Sequence, residues 1–96
     1  MTRNELISDL KTLPLRISAA EDRYADAAAF LAITEARLVL SGEITGKNET
    51  ERKAQVTERL YTQEREVSRL RTDLHQLQNE LAAKKSIARL LGGPDL

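Results

Sequence analysis

Residues 41–51 have the sequence Ser41-Gly42-Glu43-Ile44-Thr45-Gly46-Lys47-Asn48-Glu49-Thr50-Glu51, which clusters turn residues between two long runs of helical periodicity. Gly42 stands where a helix C-terminus favours positive φ, and Gly46 permits a second change of direction. Asn48, followed three residues later by Glu51, is a capping-box pattern at the start of the next helix. Because helices joined by so short a connection fold back as neighbours, the sequence predicts one helical hairpin.

The composition of the 96-residue chain narrows the classes of protein to consider. Fifteen basic residues balance fifteen acidic ones, so no net charge attracts the chain to nucleic acid or to a membrane surface. The absence of cysteine excludes disulfides and thiol chemistry. Aromatic residues make up 3% and charged residues 31%, a balance typical of long helices packed through Leu, Ile, Val and Ala.

The first predicted helix covers about residues 3–40. It begins with another capping-box pattern, in which Glu5 stands three residues after Thr2. Apolar residues then recur in alternating steps of four and three, the spacing of a coiled-coil seam. This seam consists of Leu6, Leu10, Leu13, Ile17, Ala20, Tyr24, Ala27, Leu31 and Leu38, with Thr34 as its polar member.

Pro14 lies inside the first predicted helix. A proline there removes a hydrogen bond and clashes with the preceding turn, which costs about 3 kcal/mol. The helix therefore either kinks at Pro14 or breaks near Thr12 and restarts with proline in its first turn. The seam keeps its phase from Leu10 to Ile17, which favours the kink.

Residues 24–40 are apolar at thirteen of seventeen positions, more than one seam requires. A helix that is apolar on two faces packs against two neighbours, although folded proteins also tolerate scattered exposed apolar residues. We expect a second packing face, for self-association or for a partner. Its predicted residues are Tyr24, Ala27, Phe30, Leu31, Ile33, Val39 and Leu40.

The second predicted helix covers about residues 49–91, without proline or glycine, and the tail covers 92–96. Its seam consists of Val56, Leu60, Gln63, Val67, Leu70, Leu74, Leu77, Leu81, Lys84, Ala88 and Leu91. The predicted fold is thus all-α, with two long antiparallel helices in a coiled-coil-like hairpin. Because so thin a structure needs further packing and has no disulfide, we expect dimerisation into a four-helix bundle.

Candidate chemical sites are few in this sequence. His75 is the only histidine and has no metal-ligand motif around it, so we expect no metal, no cofactor and no enzymatic activity. The polar seam residues Thr34, Gln63 and Lys84 either specify register or lie at the periphery. A basic end near the termini is a candidate for phosphate contacts, although a solvated face is the commoner outcome. It comprises Arg3, Lys11, Arg16, Lys84, Lys85 and Arg89.

Residues 44–55, Ile44-Thr45-Gly46-Lys47-Asn48-Glu49-Thr50-Glu51-Arg52-Lys53-Ala54-Gln55, resemble a motif of small helical-hairpin proteins from phages and prophages. In that group an alanine-rich first helix precedes a G-K-N-x-x-x-R-K-A-Q segment, and both parts are present here. The resemblance implies a phage-type accessory protein, encoded among replication or recombination genes, and no catalytic residues. The tip motif residues either form the turn or contact a partner. They are Gly46, Lys47, Asn48, Arg52 and Lys53.

We therefore expect a non-enzymatic, self-associating helical adaptor or structural accessory protein that acts by coiled-coil packing against a protein partner. The alternative is a nucleic-acid-binding accessory protein of phage replication or recombination that uses the basic end. The chain has no signal-peptide core and no apolar run of about 20 residues that would span a bilayer. We expect a homodimer away from membranes, in the cytoplasm of the host cell if the chain is phage-encoded.

Overall fold

The computed structural model describes residues 1–92, which form three α-helices. They are α1 (Arg3–Leu40), α2 (Glu49–Arg59) and α3 (Tyr61–Leu91), and no strand occurs in the described part of the chain. The bounds of α1 agree with the sequence prediction, and residues 93–96 of the predicted tail lie outside the described range. None of these helices is both long enough and apolar enough to cross a membrane.

The chain divides into two compact units, to both of which α1 contributes. The first unit contains Met1–Asp22 and the chain from Arg71 onward, so it joins the start of α1 to most of α3. The second unit, Arg23–Leu70, contains the end of α1, the turn, α2 and the start of α3. In each unit a segment of α1 runs antiparallel to the later part of the chain, which confirms an all-α helical hairpin.

Buried residues coincide with the predicted seams. In the first unit the buried apolar residues are Leu6, Leu13, Ile17, Ala20, Leu74 and Ala88. In the second unit they are Leu60 and Leu70. The other predicted seam residues are half-buried, with the single exception of the exposed Leu91. Heptad spacing therefore located the inward face of every helix.

The second predicted helix is interrupted at Leu60, so the prediction of one helix over residues 49–91 is wrong. Leu60 has φ −107° and ψ 14°, outside helical values. Its N–H still donates to the carbonyl of Val56 at 2.9 Å, and its carbonyl accepts from the N–H of Glu64 at 2.8 Å. Leu60 is buried, and it is followed by Tyr61 and Thr62, two residues of weak helix propensity that do little to hold helical values at this position.

Pro14 lies within α1, which continues from Arg3 to Leu40 without a break. The alternative of two separate helices is therefore wrong. The proline ring is exposed, whereas the neighbouring Leu13 is 1% exposed, so the helix keeps its inward face across this position. A kink at Pro14 stays a prediction.

The start of α1 is capped as predicted. The N–H of Glu5 donates to Oγ1 of Thr2 at 3.1 Å, and the N–H of Thr2 donates to Oε2 of Glu5 at 3.3 Å. These two bonds satisfy amide groups that have no partner within the helix itself.

Candidate partner-binding surfaces around the helical turn

Gln55 organises the turn between α1 and α2. Its Oε1 accepts hydrogen bonds from the N–H of Thr45 at 3.0 Å and from the N–H of Gly46 at 2.8 Å. Its Nε2 donates to Oγ1 of Thr45 at 3.3 Å. One side chain from the second turn of α2 thus fixes the backbone nine and ten residues earlier, a role that sequence reasoning missed. The signal was the glutamine that ends the G-K-N-x-x-x-R-K-A-Q segment.

The two glycines of the turn act for different reasons. Gly42 has φ +79°, the left-handed conformation predicted for a residue after a helix C-terminus. Gly46 has no positive φ, but a Cβ there would lie 2.7 Å from the backbone nitrogen of Arg52. Gly46 is therefore needed for close approach to the start of α2.

Asn48 caps α2 as predicted. Its Oδ1 accepts the N–H of Glu51 at 2.9 Å, and its own backbone is extended. The carboxylate of Glu51 reaches back one residue further than in a standard capping box and accepts the N–H of Lys47 at 2.8 Å. Three acceptor side chains, those of Asn48, Glu51 and Gln55, thus hold the turn and the helix start.

The remaining side chains of the tip motif are cationic and exposed. Lys53 forms an exposed ion pair with Glu49, with 3.1 Å between Nζ and Oε1. Lys47 and Arg52 have no ion pair within the described residues. The motif therefore divides into turn-forming residues, Gly46 and Asn48, and solvent-facing cations.

An open groove of about 680 Å³ lies in the second unit beside this turn. Apolar side chains of Val39, Ile44 and Val56 line part of it. The remaining lining residues are polar or charged, namely Glu35, Glu49, Arg52, Lys53, Thr57 and Glu64. Apolar surface bordered by charges of both signs can accept an apolar side chain and orient the polar groups around it.

The end of α1 carries an exposed apolar strip, which we define as Ala25, Ala29, Ala32, Ile33, Ala36, Val39 and Leu40. The side chain of Leu40 is 86% exposed, and Ile33 and Val39 are each 52% exposed. Phe30 is 60% exposed and lies outside the strip, beyond Asp26 and Arg37 around the helix. The three other residues of the predicted interface are half-buried on the seam of α1 and do not belong to the strip. They are Tyr24, Ala27 and Leu31.

The predicted basic end lies in the first unit, where one of its cations is neutralised. Nζ of Lys84 lies 2.6 Å from Oδ2 of Asp9 and 2.8 Å from Oε1 of Glu80. The hydrogen bonds that this ammonium group donates, to Asp9 first and then to Glu80, raise the pKa of Lys84 above its ordinary value. Lys84 is therefore half-buried with its charge already paired, and a phosphate contact by this residue stays a prediction. The other residues of the predicted basic end are exposed: Arg3, Lys11, Arg16, Lys85 and Arg89.

Groups able to support catalysis or metal binding are sparse in the described part of the chain. His75 is exposed on α3, and no three His, Cys, Asp or Glu side chains among residues 1–92 are grouped to hold a metal ion. Tyr61 is also exposed, with its hydroxyl accepting a hydrogen bond from Nη1 of Arg65 at 2.8 Å. The groove and the apolar strip are two surfaces of the second unit whose chemical character suits the binding of a protein.

Comparisons of the chain with protein-family models, with curated proteins and with solved structures gave no match.

Proposed function

We propose that this protein is a non-enzymatic helical adaptor that self-associates through the apolar strip of α1 and presents the turn to a protein partner. In the pair, the helices of two chains pack together into a four-helix assembly. The observation that carries this proposal is the strip itself, four successive turns of α1 whose outward face bears no charge.

The surface area of the chain supports self-association. The chain exposes 7109 Å², whereas a compact monomer of 10.8 kDa exposes about 5,500 Å² by the scaling of area with mass. The excess is about 1,600 Å², and each partner of an ordinary stable interface buries about 800 Å². This excess belongs to the chain as a whole, the strip included, and is enough for one interface of ordinary size.

The groove beside the turn supports the adaptor role. Its apolar lining at Ile44 and Val56 offers an anchor site for an apolar side chain, and Arg52 offers a cation with no ion pair in the described residues. The rigid turn held by Gln55 presents this groove in one geometry, which limits the conformational entropy lost on binding. The occupant we propose is a segment of a protein partner with an apolar residue flanked by polar or charged ones, because the groove carries charges of both signs.

A phage or prophage setting follows from the resemblance of residues 44–55 to the tip of small helical-hairpin proteins. Gly46, Asn48 and Gln55 of that segment shape the turn, and each does so by a specific contact. These contacts give a physical reason for Gly46, Asn48 and Gln55 to occur together in a protein that forms this turn.

Light scattering over a dilution series tests self-association. We expect a mass near twice 10.8 kDa, and we expect the variant Leu40→Glu to lower it to that of one chain. The matched control is Leu90→Glu, because Leu90 is 87% exposed, lies at a helix end like Leu40 and is outside the strip. Circular dichroism of both variants verifies that the helices remain. A wild-type mass of one chain at all concentrations would overturn the proposal.

A further inference from the structure

We infer that the groove beside the turn binds a partner segment that presents a basic, an apolar and an acidic side chain in that order. The basic side chain lies at the end of the groove away from the turn, and the acidic one lies near the turn. This inference rests on the adaptor role in the proposed function and specifies the chemistry of the partner. It does not depend on self-association, because all residues that line the groove belong to the second unit of one chain.

The groove has a direction, because its charges change sign along it. Arg52 precedes Val56 by four residues of α2, about 6 Å nearer the turn, and Glu64 on α3 lies about 12 Å beyond Val56. On the other wall, Glu35 precedes Val39 by four residues of α1 and is therefore also further from the turn. The end away from the turn thus carries two carboxylates, and the apolar centre separates them from Arg52.

Only one pair of these charges is already neutralised. Lys53 and Glu49 form an ion pair near the turn, with 3.1 Å between Nζ and Oε1. Glu35, Glu64 and Arg52 have neither an ion pair nor a side-chain hydrogen bond within the described residues. Glu64 is half-buried, so a cation that pairs with it is screened less by water and salt than one on an open helix face. A bound segment can therefore supply a cation at one end of the groove and an anion at the other.

The same charges disfavour the other occupants of an apolar groove. Three carboxylates and two cations line it, so its net charge is negative and repels nucleic acid and anionic lipid. The apolar strip of a second copy bears no charge, and it would cover Arg52 and Glu64 without pairing either of them. A segment that carries both charges beside an apolar residue is the complement of this surface.

The turn holds the apolar wall of the groove in place. Ile44 directly precedes Thr45 and Gly46, whose N–H groups donate to Oε1 of Gln55 at 3.0 Å and 2.8 Å. Gln55 is adjacent to Val56 in α2. These bonds therefore tie the wall that contains Ile44 to the helix that carries Val56, and both residues line the groove. A site formed before binding loses less conformational entropy when the segment docks.

Peptide selection tests the inference with a defined probe. The purified protein is the target for a displayed library of random peptides about twelve residues long, because a helix of that length spans the ~18 Å between the levels of Arg52 and Glu64. An extended segment needs only about six residues for the same span. We expect the selected peptides to combine a Lys or Arg, an apolar residue and an Asp or Glu. Fluorescence anisotropy of the synthesised peptides measures their affinity.

Single substitutions in the groove assign each charge of a selected peptide. Glu64→Gln should weaken binding about tenfold, and replacing the basic residue of the peptide by glutamine should then cost little more. Arg52→Gln should behave in the same way towards the acidic residue. The matched control is Glu58→Gln, because Glu58 is exposed on α2 and does not line the groove. Thermal unfolding of these variants should match the wild type, since neither Glu64 nor Arg52 leaves a side-chain partner behind.

A bulky residue at Thr57 separates the failure of this inference from the failure of the adaptor role. Thr57 is exposed and lines the groove, so Thr57→Trp should block binding, whereas Thr62→Trp, exposed on α3 outside the groove, should not. Peptides that Thr57→Trp blocks but that bind Glu64→Gln and Arg52→Gln as tightly as the wild type would overturn the charge order and leave the groove as a docking site. Peptides that Thr57→Trp does not block, or a library that yields none, would overturn both.

Discussion

Nζ of Lys84 lies 2.6 Å from Oδ2 of Asp9, which joins α1 to α3 in the first unit across 75 positions of sequence. The same ammonium group also reaches Glu80, one turn earlier on α3. Lys84 occupies a seam position, and its side chain is only 14% exposed. This cation, held by two carboxylates, brings the Asp9 level of α1 beside the Lys84 level of α3, and its role in specifying register stays a prediction.

Lys84→Met should therefore lower the stability of the chain, even though methionine suits a seam. The substitution leaves Asp9 and Glu80 close together without the cation between them. Thermal unfolding followed by circular dichroism measures the effect, and we expect a lower midpoint. Lys85→Met is the matched control, because Lys85 is exposed and unpaired in the described residues, and its midpoint should match the wild type. Equal midpoints for the two variants would show that the ion pairs add nothing to stability.

The contribution of Lys84 should also depend on pH in the alkaline range. Its folded pKa is raised, first by the hydrogen bond to Asp9, so its contribution is fully present below the unfolded lysine pKa of about 10.4. It is lost as the pH rises through the folded pKa. The difference in urea midpoint between wild type and Lys84→Met should be constant from about pH 7 to 9 and shrink above about pH 10.4. A difference that grows with rising pH would contradict this assignment.

The seam of α1 was predictable from the sequence, because its residues recur at a spacing of four and three. All of the predicted seam residues of α1 are buried or half-buried in the structure. Spacing also placed Phe30, Ile33, Val39 and Leu40 off the seam, and these residues are exposed. The signals at the turn were equally local. Gly42 and Asn48 adopt their predicted conformations because each responds to the end of a single helix.

The features that sequence reasoning missed depend on contacts between segments. No proline or glycine marks the interruption at Leu60, whose side chain is buried. Gly46 is required by the backbone of Arg52, and Lys84 is half-buried because Asp9 lies across the helix pair. Periodicity describes one helix at a time, so it carries no information on these pairings.

Gln55→Ala should destabilise the second unit by about 1–2 kcal/mol, because it leaves two turn amides, those of Thr45 and Gly46, without their acceptor. Gln55→Glu keeps an acceptor oxygen at the same position and loses only the bond to Oγ1 of Thr45, so its effect should be smaller. Urea unfolding of both variants measures the difference. If the two variants lose the same stability, the two amides are satisfied by water and Gln55 does not hold the turn.

Pro14→Ala should stabilise the chain by up to about 3 kcal/mol, because the alanine N–H can complete the hydrogen bond to Leu10 that proline cannot donate. The position is exposed and lies inside a continuous helix, so alanine meets no packed neighbour. Ser18→Ala, one turn further along the exposed side of α1, is the control for the intrinsic helix propensity of alanine and should add only a few tenths of a kcal/mol.

Urea unfolding of the two variants separates the two possible roles of this proline. A gain for Pro14→Ala well above that for Ser18→Ala means that the proline strains α1 and that the burial of Leu6 and Leu13 holds the helix together across it. A loss of stability means that the first unit depends on a bend at Pro14, because straightening the helix would then expose the buried Leu6. A kink at Pro14 that is needed to bury Leu6 agrees only with a loss of stability in Pro14→Ala.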